Sequence, residues 1–307
     1  MADHPALIDP QRVQRNFLHR AHLPAGLRET VAREIGQRML ERLACIKLEP
    51  QCLLDAGCAQ GAALPALRER FPQALPLALD HCLPALQTGR QMQRAARSFL
   101  ARLWPGTSPH GAAWVCADFA RLPLASGSLD LVWSNLALHW HGHPAQIFAE
   151  WQRVLRVQGL VMFSCFGPDT FKQLRTVLGA DASRRLLPFI DMHDLGDDLV
   201  RQGFGDPVMD MEQLTLTYAT PEQLLAELAT LGGNPLTAAS RGLLSRQRYH
   251  AWLEGLRAQA GAGGRISLTI EVIYGHAWKV QAKQQRTAEG YTAVPLEQLR
   301  GARPSKP

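Results

Sequence analysis

The chain has 307 residues, 46% of them hydrophobic and 20% charged, the balance of a globular protein with a large core rather than a disordered one. No apolar run approaches the roughly 20 residues of a membrane span, and Met1-Ala2-Asp3-His4-Pro5 lacks the basic-then-apolar order of a secretory signal. The net charge of +6 is carried mostly by dispersed arginines, which suits an acidic partner and equally suits plain solubility.

Residues 11–45 read as helical, with Val31, Ile35, Met39, Leu40 and Leu43 at helix spacing and Pro50 ending the region. Residues 52–56 form a first strand, 62–70 a helix, and 76–80 a second strand. Residues 84–103 read as an Arg-rich helix broken by Trp104-Pro105-Gly106. Strands follow at 113–117, 129–133 and 159–166, with a helix over 145–155. Apolar strands alternating with helices predict a parallel sheet covered on both faces.

Beyond Gly167 the rhythm changes. Residues 168–202 read as helices with polar breaks, 207–218 as a long strand, and 221–260 as mostly helical. Residues 265–274 form a last strand, with Ile266, Leu268, Ile270 and Val272 alternating. The tail from Gln284 is polar and is expected to be loose.

The six cysteines, Cys45, Cys52, Cys58, Cys82, Cys116 and Cys165, stand singly. No Cys-x-x-Cys pair suggests zinc or a disulfide framework, and a reducing cytoplasm fits this usage. His139, His141 and His143 alternate, but no carboxylate or thiol lies at ligand spacing, so no metal is expected.

Leu53-Leu54-Asp55-Ala56-Gly57-Cys58-Ala59-Gln60-Gly61 is a buried strand running into a glycine-containing turn, and Asp80 closes the next apolar run. A strand, a small-residue turn and a helix, with an acid about 20 residues on, form a nucleoside-cofactor site. Gly57 allows a sharp bend and a close approach to ligand; Gly61 lets the next helix pack on the strand. The helix N-terminus would face a ligand carboxylate. Asp80 would accept from two ribose hydroxyls, Asp118 from an adenine amino group, with Phe119 beside the ring. Ser134, Asn135 and Leu136 would close the floor. The turn lacks Gly-x-Gly-x-x-Gly spacing, so S-adenosylmethionine is favoured over a dinucleotide.

These residues resemble class I S-adenosylmethionine-dependent methyltransferases. Trp133-Ser134-Asn135-Leu136-Ala137-Leu138-His139-Trp140, Phe166-Gly167-Pro168-Asp169-Thr170-Phe171 with Leu174-Arg175, Ile273-Tyr274-Gly275-His276-Ala277-Trp278-Lys279 and Arg15-Asn16-Phe17 are similar to the malonyl-acyl-carrier-protein O-methyltransferases of biotin synthesis. The resemblance implies an α/β, Rossmann-like, seven-stranded and mostly parallel sheet with a helical cap inserted after the fifth strand. Its layout here would be an N-terminal helical segment (1–50) over the cofactor site, a core (51–166), a cap (167–205), completing strands and helices (206–283) and a tail (284–307).

It implies S-adenosylmethionine held by Asp55, Gly57, Gly61, Asp80, Asp118, Phe119, Ser134, Asn135 and Leu136. It also implies malonyl-loaded acyl carrier protein as partner. No nucleic acid is expected, because the chain lacks an Asn-Pro-Pro-Tyr-type base-gripping motif and an evident RNA-binding appendage. No membrane is expected, because no apolar run is long enough to span one. Arg175 is the first choice for the substrate carboxylate or phosphopantetheine, and His139 for a wall of the catalytic pocket. Lys172, Arg184 and Arg185 are candidates to meet the acidic carrier.

Two departures stand out. The family's Gly-Cys-Gly-x-Gly is here Gly57-Cys58-Ala59-Gln60-Gly61, and its Tyr-Asp pair is missing around Ala25-Gly26. Two other readings therefore stay open. One is a catalytically silent scaffold acting through a protein partner. The other is a protein-arginine-modifying enzyme, because Asp169-Thr170 with Leu174-Arg175 also resembles a complex I assembly factor.

Overall fold

The structure is a computed structural model that describes residues 8–21, 26–96, 111–231, 233–239, 244–261 and 263–281. Its centre is a seven-stranded sheet of order β3-β2-β1-β4-β5-β7-β6. The strands are β1 (Cys52–Ala56), β2 (Leu75–Asp80), β3 (Ala113–Cys116), β4 (Leu129–Asn135), β5 (Leu155–Phe166), β6 (Phe204–Tyr218) and β7 (Ile266–Lys279). The first five pair in parallel; β7 runs antiparallel to both β5 and β6. The expected sheet is present, and its strand order turns back at β1, between β2 and β4.

The helices are α1 (Pro10–Arg20), α2 (Leu27–Ala44), α3 (Leu64–Arg70), α4 (Leu83–Ala96), α5 (Pro144–Val154), α6 (Lys172–Leu178), α7 (Ala182–Arg185), α8 (Met192–Arg201), α9 (Pro221–Leu228) and α10 (Arg246–Ala258). The stretch read as one helical region at 11–45 is two helices. Each has its own start: Asp9 accepts from the Gln11 and Arg12 amides, and Glu29 accepts from the Gly26 amide at 2.8 Å. The strands run longer than their apolar runs. β5 begins at Leu155, which pairs with Leu129 before the ladder shifts register, and β7 continues to Lys279 opposite Phe204.

Alternation along the strands sends side chains to two cores. On one face Leu53, Leu131, Trp133, Met162, Ile270 and Val272 pack with Val31, Ile35 and Met39 of α2, Leu174 of α6 and Leu256 of α10. On the other, Leu54, Val132, Val161 and Phe163 pack with Phe148 and Trp151 of α5 and Leu195 and Leu199 of α8. The segment expected as a cap, 167–205, is thus divided between faces: α6 joins the layer of α2, and α8 joins that of α5. The break from Trp104 and the tail from Gln284 lie outside the described residues. Among the described residues no helix is long and apolar enough to cross a membrane.

Candidate active site

A cavity opens at the C-terminal ends of β1, β2 and β4. This is the crevice at the topological switch point, where open parallel sheets bind ligands. Asp55 and Gly57 line it from the end of β1, and Asp80 from the end of β2. Phe119 lines it from the loop after β3, and Asn135 and Leu136 from the end of β4. His139 and Trp140 follow, and α2 supplies Val31, Gly36 and Leu40.

The turn after β1 is held from several sides. The Gly57 and Cys58 amides both donate to the Leu79 carbonyl of β2, at 2.8 and 3.0 Å. Gly57 has φ +78°, and a Cβ there would stand 2.4 Å from the Ala137 Cβ. That cradle needs glycine on both counts. Ala59 also adopts a left-handed backbone, with φ +48°, a conformation that costs an L-residue about 1 kcal/mol or more. In return its amide donates to Asp80 Oδ2 at 2.8 Å. The Cys82 amide donates to Asp80 Oδ1 at 2.8 Å, so each carboxylate oxygen has one backbone donor and keeps a lone pair for a ligand hydroxyl. On the far side Gly89 of α4 lies so close that a Cβ would be 2.3 Å from the Gln60 carbonyl oxygen.

Asp55 is buried beside Asp80. Burial first, and then the Asp80 charge, pushes its carboxyl up to about 8. The cavity end at β1 therefore favours a cationic ligand group, which would offset both effects.

Asn135 fastens the floor. Its Nδ2 donates to the Ala32 carbonyl of α2 at 2.7 Å, and its Oδ1 accepts from Ser164 Oγ at 2.8 Å. Ser164 Oγ in turn accepts from the Leu136 amide at 3.0 Å. The helix comes this close because Gly36 faces the amide, where a Cβ would stand 3.0 Å from Nδ2.

Four sequence candidates lie outside the cavity walls. Gly61 is buried against Leu64 and Trp114 and shapes the turn, its amide donating to the Cys58 carbonyl at 2.7 Å. Ser134 is buried between strands and donates to the Ala56 carbonyl at 2.9 Å, tying β4 to β1. Asp118 is exposed and accepts from the Ala120 amide at 2.9 Å. Arg175 donates to the Thr170 and Leu187 carbonyls, and its guanidinium stands 5.8 Å from the centre of the Phe189 ring. Its charge braces the 170–189 segment instead of entering the cavity.

Of the three alternating histidines, His139 turns inward while His141 and His143 face each other at 6.2 Å. No group of three His, Cys, Asp or Glu side chains among the described residues could hold a metal ion.

The sequence left Phe17 and Trp140 without a role in the site. Phe17 of α1 meets His81 and Trp140 edge-on, at 5.6 and 5.2 Å, and all three line the cavity. α1 is anchored elsewhere, by the Asp9 amide on the Pro235 carbonyl at 2.9 Å and by Arg12 on the Leu236 carbonyl. The Arg15-Asn16-Phe17 resemblance was the one available signal for Phe17.

Residues 54–163 match a family described as Methyltransferase domain. Among solved structures, the YcgJ protein of Bacillus subtilis is 13% identical with a TM-score of 0.53, covering 80% of this chain and 100% of its own. The [4+2]-cyclase SpnF is 14% identical with a TM-score of 0.52, covering 90% and 98%. These likenesses concern the fold alone. With the matched domain, the sheet and switch-point cavity define a class I S-adenosylmethionine-dependent methyltransferase.

The malonyl-[acyl-carrier protein] O-methyltransferase of Methylovorus sp. is 44% identical over 282 residues, covering 90% of this chain and 91% of its own. That of Laribacter hongkongensis is 42% identical over 280 residues, covering 91% and 92%. The chain belongs to the malonyl-[acyl-carrier protein] O-methyltransferase family.

Proposed function

We propose that this protein methylates the free carboxylate of a malonyl group carried on acyl carrier protein, with S-adenosylmethionine as methyl donor. The observation that supports this most directly is the switch-point cavity, with a glycine turn on one side and Asp80 on the other, in a chain aligned almost end to end with enzymes of that name. The resemblance places the reaction in biotin synthesis, where masking the charge lets chain-elongating enzymes accept the acyl group.

The residues present fit the cofactor. The Gly57 cradle would be filled by a Cβ, and Asp80 is fixed by two amides with lone pairs to spare. When bound, S-adenosylmethionine supplies a sulfonium-activated methyl, whose transfer makes a C–O bond, breaks a C–S bond and moves no proton. Asp80 would accept from the ribose hydroxyls, Phe119 would pack on the adenine, and Asp118 would take its amino group from the rim. Asp55 and the Gly57–Gly61 turn would hold the amino-acid end, with Asn135 and Leu136 below. Gly61 and Ser134 would act through the shape of the turn and the β1–β4 pairing.

A carboxylate is ionised at neutral pH, so the chain needs no general base. Its task is to align the acceptor and exclude water. Phe17, His81 and Trp140 line the cavity and would serve that purpose. The exposed Lys172 and Arg184, with the half-buried Arg185, would meet the acidic carrier near α6 and α7. The described cysteines are free thiols, which fits a cytoplasmic enzyme.

Calorimetric titration with S-adenosylhomocysteine, followed by mass measurement of malonyl-carrier protein after incubation with S-adenosylmethionine, tests the reading. Micromolar binding and a gain of one methyl are expected, and Asp80→Ala should abolish both while the protein stays folded. Absence of binding at millimolar ligand would refute the reading and favour a scaffold that works through protein partners.

A further inference from the structure

A second pocket adjoins the cofactor cavity. Its walls include Leu138, Phe166, Phe189 and Ile190, and no Lys, Arg, Asp or Glu side chain lines it among the described residues. His139 and Phe166 line both spaces and so form the partition between them. Their rings stack at 4.7 Å and 27°, and Phe189 meets each edge-on at 5.6 Å. Arg175 steadies this wall through its contacts with Phe189 and the Leu187 carbonyl.

His139 is out of keeping with such surroundings. Both of its ring nitrogens are shielded from solvent, and neither has a hydrogen-bond partner. Buried polar atoms are normally paired, and an unpaired one points to a ligand or a water that completes it. Burial keeps the imidazole neutral, its pKa pulled down to about 3. A neutral imidazole has one N–H to donate. The stacked rings fix its position at the junction of the two spaces.

Resting on the reaction proposed above, we infer that the apolar pocket receives the thioester arm of a short dicarboxylic acyl chain, and that His139 donates its one N–H to the free carboxylate at the junction. The pocket suits methylene and thioester groups. A carboxylate drawn deeper into it would be a buried charge without a cationic partner, since burial disfavours the charged form of His141, the other histidine of the lining. The carboxylate therefore stops where the partition offers a donor, facing the cavity that holds the methyl donor. His139 is thus a positioning residue for the acceptor, not a base.

The test uses His139→Phe, which keeps an aromatic ring and removes the donor, and His139→Gln, which restores a donor. Affinity for S-adenosylhomocysteine is measured by calorimetry. Affinity of the protein saturated with that product for malonyl-pantetheine thioester is measured in the same way, alongside kcat/KM on malonyl-carrier protein. His139→Phe should leave the first within about twofold and lower the other two by roughly ten- to a hundredfold, the weight of a hydrogen bond to a charged group. His139→Gln should recover most of the loss.

Unchanged thioester affinity in His139→Phe, or an equal loss of affinity for S-adenosylhomocysteine, overturns the inference. Wild-type protein that binds the thioester through His139 without methylating it would refute the reaction and leave the pocket standing. Full turnover by His139→Phe would do the reverse. Wild-type protein that does not bind the thioester overturns the inference.

Discussion

Asp55→Asn isolates the electrostatic character of the cofactor cavity. In the folded protein burial and the neighbouring Asp80 raise the Asp55 carboxyl from 3.8 to about 8. In the unfolded chain it titrates near 3.9. Between these limits the folded state holds a proton that the unfolded state has released, so stability falls as pH rises through that window. Above pH 8 the full cost is about 5–6 kcal/mol at about 1.4 kcal/mol per pH unit. Asparagine keeps the shape and never ionises. Urea unfolding without cofactor should therefore show wild type losing ground to Asp55→Asn by about 4 kcal/mol between about pH 5 and pH 8.5. The same logic makes binding of a cationic cofactor release up to about one proton near neutral pH. Calorimetry in two buffers of different ionisation enthalpy reads this, and Asp55→Asn should abolish it. Stability curves that stay parallel across this range would refute the assignment of a protonated Asp55 to the cofactor-free protein.

Two further substitutions probe the turn. Gly89→Ala would drive a Cβ to 2.3 Å from the Gln60 carbonyl oxygen and 2.6 Å from the Trp114 ring. It should lower stability by about 1–3 kcal/mol and weaken S-adenosylhomocysteine binding with it; an unchanged melting temperature would show that α4 can withdraw freely. Ala59→Gly releases the left-handed strain at φ +48°, while the freer unfolded chain takes back a similar amount, about 1 kcal/mol. Net stability should barely move, and affinity for S-adenosylhomocysteine should rise as a Cβ leaves the cavity wall. A fall in affinity would refute the view of Ala59 as an obstruction.

The sheet and the front of the site were legible because their signals are local. Buried parallel strands are short apolar runs, and Gly57 and Asp80 sit where such runs end. The readings fell short where geometry depends on partners distant in sequence. Ser134 follows the last residue of an apolar run and was expected at the floor, yet its hydroxyl goes to the Ala56 carbonyl of a neighbouring strand. Arg175 has the chemistry to bind a carboxylate, but the Thr170 and Leu187 carbonyls already accept from its guanidinium. The start of β6 at Phe204 was hidden because Pro207 looked like a strand boundary; the ladder instead shifts register between Gly205 and Val208. The second pocket has no signature in sequence at all, since residues 138–144 and 188–190 meet only through the fold.

The hydrogen bond from Asn135 to the Ala32 carbonyl sets a limit on dissection of this enzyme. The segment that carries the methyltransferase signature, 54–163, begins after α2 and stops before Ser164. A fragment trimmed to that signature would keep Asp55, Gly57 and Asp80 but leave both ends of the Asn135 amide without their partners. It would also strip Val31, Gly36 and Leu40 from the cavity wall. The recognisable module and the working module are therefore not the same length of chain, and swapping the signature segment between relatives carries α2 along as an obligatory passenger.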